Sequence, residues 1–371
     1  MRNGVWIIGL ALAACGAAHA QWQMQDSPTT ADLRGIHNVG GGVAWASGTN
    51  GTVLHTEDGG STWLTCAVPP GAEHLDFRGV QAFDAKTAIV MSSGKGDSSR
   101  LYKTTDGCQT WKLVFTNPDK DGFWDAIVVH QGVGLVIGDP VNGRYAIFAS
   151  SDGQLNSWSR FGESSDVRHF RYEPSPYEGE QLFAASNSIA KGSPAKGVLL
   201  VTGGPMGAMY AFGGWQEVGA SEYASVIFAK TAIPLAKGES AGAFSFDCAD
   251  RSRSQPKSAC VAVGGNYKLP DSALGVAAHA VDPPMKKWIA SKTQPHGYRS
   301  AVAFDDALKI WITVGPNGTD VSTDDGKNWR AVHPDSALHE APDADRNWNA
   351  LSLPYVVGPK GRIGKLDRTH F

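Results

Sequence analysis

"HTEDGGSTWL", residues 55–64, packs an Asp, two Gly and a Trp into one short stretch, and the chain returns to it. "KTTDGCQTWKL" (103–113) and "VSTDDGKNWRA" (321–331) repeat the arrangement, and "ASSDGQLNSWSRF" (149–161) carries it with one inserted residue. Asp58 and Asp106 stand 48 residues apart, Asp106 and Asp152 46 apart. A fixed period of that size marks a repeat architecture.

Strand patterns surround each copy. One strand opens the repeat, as in "LRGIHNV" (33–39), "FRGVQAF" (77–83), "FWDAIVV" (123–129), "YRSAVAF" (298–304) and "WNALSLP" (348–354). A second follows, such as "TAIVMSSG" (87–94) or "IWITVGP" (310–316); a third enters the Asp turn, and a fourth leaves through the Trp. Four short antiparallel strands rich in β-branched and aromatic residues make one propeller blade. The fold class read here is all-β, a seven-bladed propeller of four-stranded blades. Residues 31–70, 71–118, 119–164 and 297–334 are clear repeats. The 172 residues from Asp152 to Asp324 leave room for two decayed ones, placed at 165–220 and 221–296. The first of these ends near Trp215, the second at Asp282 and Trp288. The last repeat, 335–371, stops before any Trp. "QWQMQDSP" (21–28) reads as its missing outer strand, so 21–30 would close the ring and remove an open sheet edge.

In the turn, Asp can bond backbone amides and Gly can supply positive φ, while Trp packs onto its blade. Asp58, Asp106, Asp152 and Asp324, with Trp63, Trp111, Trp158 and Trp329, are therefore assigned to structure. A catalytic carboxylate would not recur once per blade at the rim.

The N-terminus reads as an export signal, with Arg2, the apolar run "VWIIGLALAA" (5–14) and then small residues. "AHA" (18–20) fits ordinary cleavage after residue 20. "LAAC" (12–15) fits a lipobox, which would end the leader at 14 and lipidate Cys15. Both exits place the protein in the periplasm, outside the cell, or on the outer membrane as a lipoprotein. The run is too short to span a bilayer. The whole chain carries 33 basic and 36 acidic residues. That balance disfavours nucleic acid as a partner. Cys66, Cys108, Cys248 and Cys260 remain beyond the leader, an even number suited to an oxidising compartment. Cys248 and Cys260 flank a polar stretch between two strands and pair most naturally, leaving Cys66 with Cys108. No Cys-x-x-Cys and no His-Glu-x-x-His occurs, so neither metal nor cofactor is expected.

The turns "TEDGGSTW" and "STDDGKNW" resemble the Asp-box (BNR) motif of sialidases, xyloglucanases, sortilin-type receptors and photosystem II assembly-factor-like propellers. The motif speaks for fold and hardly for activity. The opening strands "FRGVQAF" and "YRSAVAF", with "VVGPKGRIGKL" (356–366), are most similar to the photosystem II assembly- and stability-factor-like bacterial proteins. The resemblance spans essentially the whole chain after the leader. It implies a non-enzymatic scaffold that holds another protein, here a partner in the cell envelope.

Propellers bind ligands where the innermost strands begin, and those positions hold Arg34, Arg78, Asp125, Arg299 and Asn349. Three arginines from separate blades could grip a carboxylate through bidentate forks; alternatively each pairs with a nearby acid and ties blades together. Asp139 and Arg144 in "GDPVNGRY", and Asn266 and Tyr267 in "GGNYKLP", could overhang the channel. Trp124 and Trp348, at strand starts, are the aromatic residues best placed as ligand platforms. A second function class is a glycan-active sialidase- or lyase-like enzyme, in which the three arginines hold the carboxylate of a glycan. Such a site also needs a nucleophilic Tyr and a partner Glu, and Glu180 is the best-placed Glu. The Arg-Ile-Pro signature is absent, and the weight of the reading falls on binding.

Overall fold

The computed structural model describes residues 22–150, 152–161, 175–193, 197–214, 216–217, 223–224, 229–249, 259–281, 287–336 and 340–368. The stretch read as a leader, with Cys15, and Trp215 and Asp282 lie outside them.

Seven antiparallel sheets form the blades of a β-propeller. Blade 1 runs from its inner strand Leu33–Gly40 through Val43–Gly48 and Val53–Thr56 to Leu64–Thr65. Blade 2 begins at Phe77–Ala82, blade 3 at Trp124–His130 and blade 6 at Ala301–Asp305, each followed by three more strands in chain order. Blade 7 opens with Ala350–Ser352 and Tyr355–Val357, and its third strand, Ile363–Leu366, pairs with Trp22–Gln25. Trp22 stands opposite Leu366 and Gln25 opposite Ile363, so the N-terminal strand closes the ring.

Blades 4 and 5 divide the chain differently from the sequence reading. Ala208–Gly214, taken there as the end of blade 4, is its third strand, and the fourth is Ala229–Ile233. An insertion between them, in which Gln216–Glu217 pairs with Tyr223–Ala224, lengthens this blade beyond residue 220 and hides the period. Blade 5 starts only at Gly238–Ala249, and the two-residue strand Gly203–Gly204 lies along its inner edge. No α-helix occurs among the described residues.

The hydrophobic core is divided among the seams between blades. Leu33, Ala46, Trp63, Tyr355 and Ile363 pack blade 7 on blade 1, and Phe77, Val90 and Trp111 pack blade 1 on blade 2. The outer-strand Trp reaches back each time to the preceding blade. Trp63 meets Tyr355 edge-on at 5.7 Å, and Trp158 stacks near Phe115 at 6.3 Å. The Trp111 indole N–H donates to the Ala67 carbonyl, and that of Trp329 to Ser291 Oγ. Trp288 packs on Tyr210 with ring centres 5.4 Å apart. Trp22 supplies the same contact for blade 7, its indole N–H donating to Thr319 Oγ1 of blade 6.

The recurring turn has one geometry. Asp58 Oδ1 accepts from the Thr62 amide at 2.9 Å and from the Thr56 hydroxyl at 2.9 Å, while Thr56 Oγ1 accepts from the Gly60 amide. Asp106 with Thr104 and Thr110, and Asp324 with Ser322 and Asn328, repeat this. Asp152 likewise accepts from the Ser150 hydroxyl, and takes the amides of Gln154, Asn156 and Ser157. The hydroxyl two residues before the Asp is as much a part of the turn as the carboxylate, a role the sequence reading missed although Thr or Ser recurs there. Cys108, at φ 61°, takes a left-handed position that glycine holds in the first copy.

These hydrogen bonds favour the ionised carboxylate. The Thr110 hydroxyl and amide hold Asp106 down to about 2, and the Thr62 amide, then the Thr56 hydroxyl, hold Asp58 below its ordinary value. A group depressed in the folded state stabilises it above the unfolded pKa, about 4 for Asp, and loses that contribution as pH falls through the folded value. The unfolding midpoint should therefore drop between about pH 4 and 2, and Asp106→Asn should flatten that acid limb. An unchanged limb in the variant would remove Asp106 from the account.

Both disulfides form. Cys248 and Cys260 are directly opposite on adjacent strands of blade 5, and Cys66–Cys108 latches the end of blade 1 to the turn of blade 2. The bridges span 42 and 12 residues, so loop-closure entropy ranks the inter-blade latch as the stronger. Replacing Cys66 and Cys108 by Ala should cost about 2–4 kcal/mol in denaturant unfolding, more than the Cys248/Cys260 double variant. The reverse order would show that the denatured chain is not the main target of these links.

Candidate functional site

The innermost strands begin at one face of the ring, opposite the Asp turns, and their first residues line a vestibule. In blades 1, 2, 3 and 5 the inner strand carries an irregular register at its start, skipping Arg34, Arg78, Asp125 and Phe244 respectively. A bulged residue is freed from the ladder and re-aimed. Three of these four were picked from sequence; Phe244 was not, because an aromatic residue in a strand reads as core.

Arg299 does not belong to this set. The Leu33 amide donates to Gly358 O of the preceding blade, that of Trp348 to Gly315 O, and that of Arg299 to Gly264 O. Arg299 thus occupies the position of Leu33 and Trp348, and Ser300 that of Arg34 and Asn349. The letters "FRG" and "YRS" match, but the strand is slipped by one residue, which sends Arg299 into the interior. It is fully buried, its Nε donating to Asp320 Oδ2 at 2.8 Å and its Nη2 to the same carboxylate. His296 and Asn317 complete the network. The three-arginine cluster is therefore corrected to a pair, Arg34 and Arg78.

The segment Leu182–Ser188 crosses the axis beneath the vestibule. It meets blade 2 through Ala184 O, which accepts from Arg78 Nη1, and blade 3 through the Leu182 amide, which donates to Asp139 Oδ1. Phe183 stacks on Phe244 of blade 5 with ring centres 4.0 Å apart, and Ser186 donates to Ser300 O of blade 6. Four blades are tied to one strip of chain, and the channel floor is set by it.

On this floor the two arginines differ. Arg78 is engaged: its Nε donates to Asp76 at 2.8 Å. Arg34 Nε is buried with no hydrogen-bond partner. Burial, and next the like charge of Arg78, push the Arg34 guanidinium below its ordinary value. Asp76 and Asp32 oppose this shift, and Asp32 Oδ1 is taken up by the Lys360 amide. A guanidinium with unused donors beside a second guanidinium is a place for an anion. Asp125 is poorly suited to neutralise it. Burial, and then neighbouring Asp139, drive its carboxyl well above the carboxylate range, and its Oδ2 is unpartnered.

The remaining sequence candidates sort by contact. Trp124 and Trp348 are not platforms: both are buried, Trp124 stacked on Phe115 and Trp348 against Trp22 with its N–H on Ala344 O. Hydrophobic strand starts are seam positions, and size made them look like platforms. Asn349 donates to Leu33 O and joins blade 7 to blade 1, and Asn266 Oδ1 accepts the Lys268 amide in its own turn. Arg144 lies on the hairpin after Val133–Val141. Tyr267 is 46% exposed, and its ring meets both Phe183 and Phe244 edge-on. Tyr298, which the sequence reading passed over, packs edge-on against Phe244 at 4.8 Å and lies near enough to Arg34 and Arg78 to feel their charge. Glu180 is buried and taken: Lys230 Nζ and the Tyr177 amide donate to Oε2, and Thr202 to Oε1. Among the described residues no group of three or more His, Cys, Asp or Glu side chains could hold a metal.

The chain is thus a seven-bladed β-propeller with a floored vestibule carrying a guanidinium pair and an aromatic stack. No protein-family model and no curated protein matches it. Solved structures do. YCF48 bound to a D1 peptide is similar over 93% of this chain and 96% of its own, with 17% identity and TM-score 0.58. YCF48 from Cyanidioschyzon merolae gives 17% identity and TM-score 0.58 over 96% of this chain and the whole of its own. The WD40 propeller domain of Doa1 gives 10% identity and TM-score 0.57 over 94% of this chain and 98% of its own. At such identities the likeness concerns fold.

Proposed function

We propose that this chain is an exported, non-enzymatic propeller that holds a segment of another envelope protein at the vestibule, with Arg34 and Arg78 gripping a carboxylate. The observation that carries the reading is Arg34, whose buried Nε has no partner beside a second guanidinium. Leaving charged donors unpaired is costly, and a bound carboxylate would repay it. The similar fold of YCF48 was solved with a D1 peptide bound, which supports a protein segment as ligand. Export rests on the leader read from residues 1–20, or 1–14 with lipid on Cys15, and two disulfides suit that compartment. The aspartate turns belong to the Asp-box class on this reading. Nothing favours the glycosidase alternative, in which a carboxylate-bearing glycan would take the arginines. Glu180 is committed to Lys230, and burial, then Glu180 itself, push the Tyr145 hydroxyl far above its ordinary value, the wrong direction for a nucleophile.

The test is a pull-down from the native envelope fraction with the wild type and an Arg34→Ala/Arg78→Ala variant whose unfolding midpoint is checked first. A protein retained by the wild type should fall at least about tenfold in the variant, as expected for losing a charge-assisted pair. Retention by both forms would move the site elsewhere, and a glycan retained by the wild type alone would favour the enzyme.

A further inference from the structure

Four large apolar side chains stand exposed on the vestibule face of blades 4 and 5: Met206 at 54%, Tyr267 at 46%, Leu269 at 58% and Leu274 at 80%. Single exposed apolar residues are ordinary, whereas several on adjoining loops mark an interaction surface. These loops are pinned in place. The Tyr267 amide donates to Ser240 O, that of Leu269 to Asn266 O and that of Ser272 to Leu269 O. Pro270 O receives the Tyr298 amide and Asn317 Nδ2, and Gly275 O receives the Ala236 amide. Gly207, next to Met206, packs against the Lys237 side chain, so the loops of blades 4 and 5 adjoin.

The shelf is continuous with the guanidinium pair. Tyr267 meets Phe244 at 6.0 Å, Phe244 meets Tyr298 at 4.8 Å, and Tyr298 is near enough to Arg34 and Arg78 to feel their charge. The charges around the shelf are mixed, Lys237 and Lys268 against Glu239 and Asp271, the latter held by Asn317, so the net positive end is the arginine pair. The two ring steps, 6.0 and 4.8 Å, place Tyr298 within about 11 Å of Tyr267, a reach that a few residues of extended chain at about 3.3 Å each can bridge.

We infer that blades 4 and 5 form an apolar shelf that seats a bulky hydrophobic side chain of the bound segment, a few residues from an Asp or Glu held by Arg34 and Arg78. The inference rests on the binding role proposed above and adds what the partner must look like: an extended, acidic segment with an aromatic or Leu anchor. The carboxylate fixes register, and the anchor supplies apolar burial next to rings that are already ordered, at little entropic cost.

The experiment selects random dodecapeptides displayed on phage against the wild-type protein. The recovered peptides are then titrated by fluorescence anisotropy against three proteins: wild type, Tyr267→Ser/Leu269→Ser/Leu274→Ser, and Arg34→Ala/Arg78→Ala. All three substituted loop positions are exposed, and each variant is first matched to wild type in unfolding midpoint. Recovered peptides should pair an acid with Phe, Tyr, Trp or Leu a few residues away. The shelf variant should bind them at least tenfold more weakly and be indifferent to replacing the peptide's anchor by Ala. Acid-dependent peptides that bind the shelf variant as well as wild type overturn the shelf and leave the arginine site standing. Anchor-dependent peptides with no acid overturn the arginine site and the joint occupant. Failure to recover any peptide overturns both, and a concentration-dependent dimer abolished by the shelf substitutions assigns the surface to a second copy of this chain.

Discussion

Trp22→Ala is expected to lower stability by about 3–5 kcal/mol, as large-to-small changes at buried aromatic sites do. Trp22 is 2% exposed, packs on Trp348 with ring centres 6.1 Å apart, and donates its indole N–H to Thr319 Oγ1. It therefore joins blade 7 to blade 6 through a strand that reaches the ring from the other end of the sequence. Removing the indole leaves a cavity at that seam and deprives Thr319 Oγ1 of a donor; the hydroxyl itself still donates to Asp345 O. Calorimetry should show a midpoint lower by roughly 4–7 °C for a domain of this size. Trp22→Phe should recover part of the loss, since the ring contact survives. Cutting the strand away altogether has a second consequence. Ile363–Leu366 then becomes an open edge, and size-exclusion chromatography should show association that the Ala variant does not. A truncated chain that stayed monomeric with an unaltered midpoint would refute closure as a source of stability.

How much of this was legible follows from which signals are local. Period-2 strands, the Asp–Gly–Trp turn and the absence of a Trp in the last repeat are all written within ten or so residues, and together they give seven blades and the closing strand. The Cys248–Cys260 bridge was legible for the same reason, since both residues flank one hairpin. Blade 4 was not, because its insertion after Gly214 breaks the spacing on which the count relied. The floor of the vestibule was invisible: Leu182–Ser188 contains no motif, and its role depends on meeting four blades at once. The Phe183–Phe244–Tyr298 stack was missed likewise, since aromatic residues around the axis and aromatic residues in a seam look alike in one dimension. The strand-start rule places Arg34 and Arg78 at bulged positions, as the register shows, and misplaces Arg299 by a single residue.

Arg299 consequently makes the second large prediction. Its guanidinium and the Asp320 carboxylate are buried together, with 0% and 1% of their side chains exposed. Burial lowers the Arg299 pKa although Asp320 resists it. Asp320 stays below its ordinary value despite its own burial, because His296 and then Arg299 hold the anion. Arg299→Ala strands Asp320 in the interior, with His296 as its remaining partner, and should cost about 3–5 kcal/mol. Asp320→Ala should cost a similar amount by stranding the arginine. The pair itself need not be worth that much, because desolvating both ions offsets most of their attraction. Arg299→Met/Asp320→Leu, which fills the same space without charge, should accordingly lie much closer to wild type than either single variant does. The urea-unfolding cycle decides between the two roles in play for this residue. A large coupling with partner binding intact makes Arg299 a tie between strands of blade 6, as its register dictates. Small, additive losses together with abolished partner binding would return it to the vestibule and undo the reading of the slipped strand.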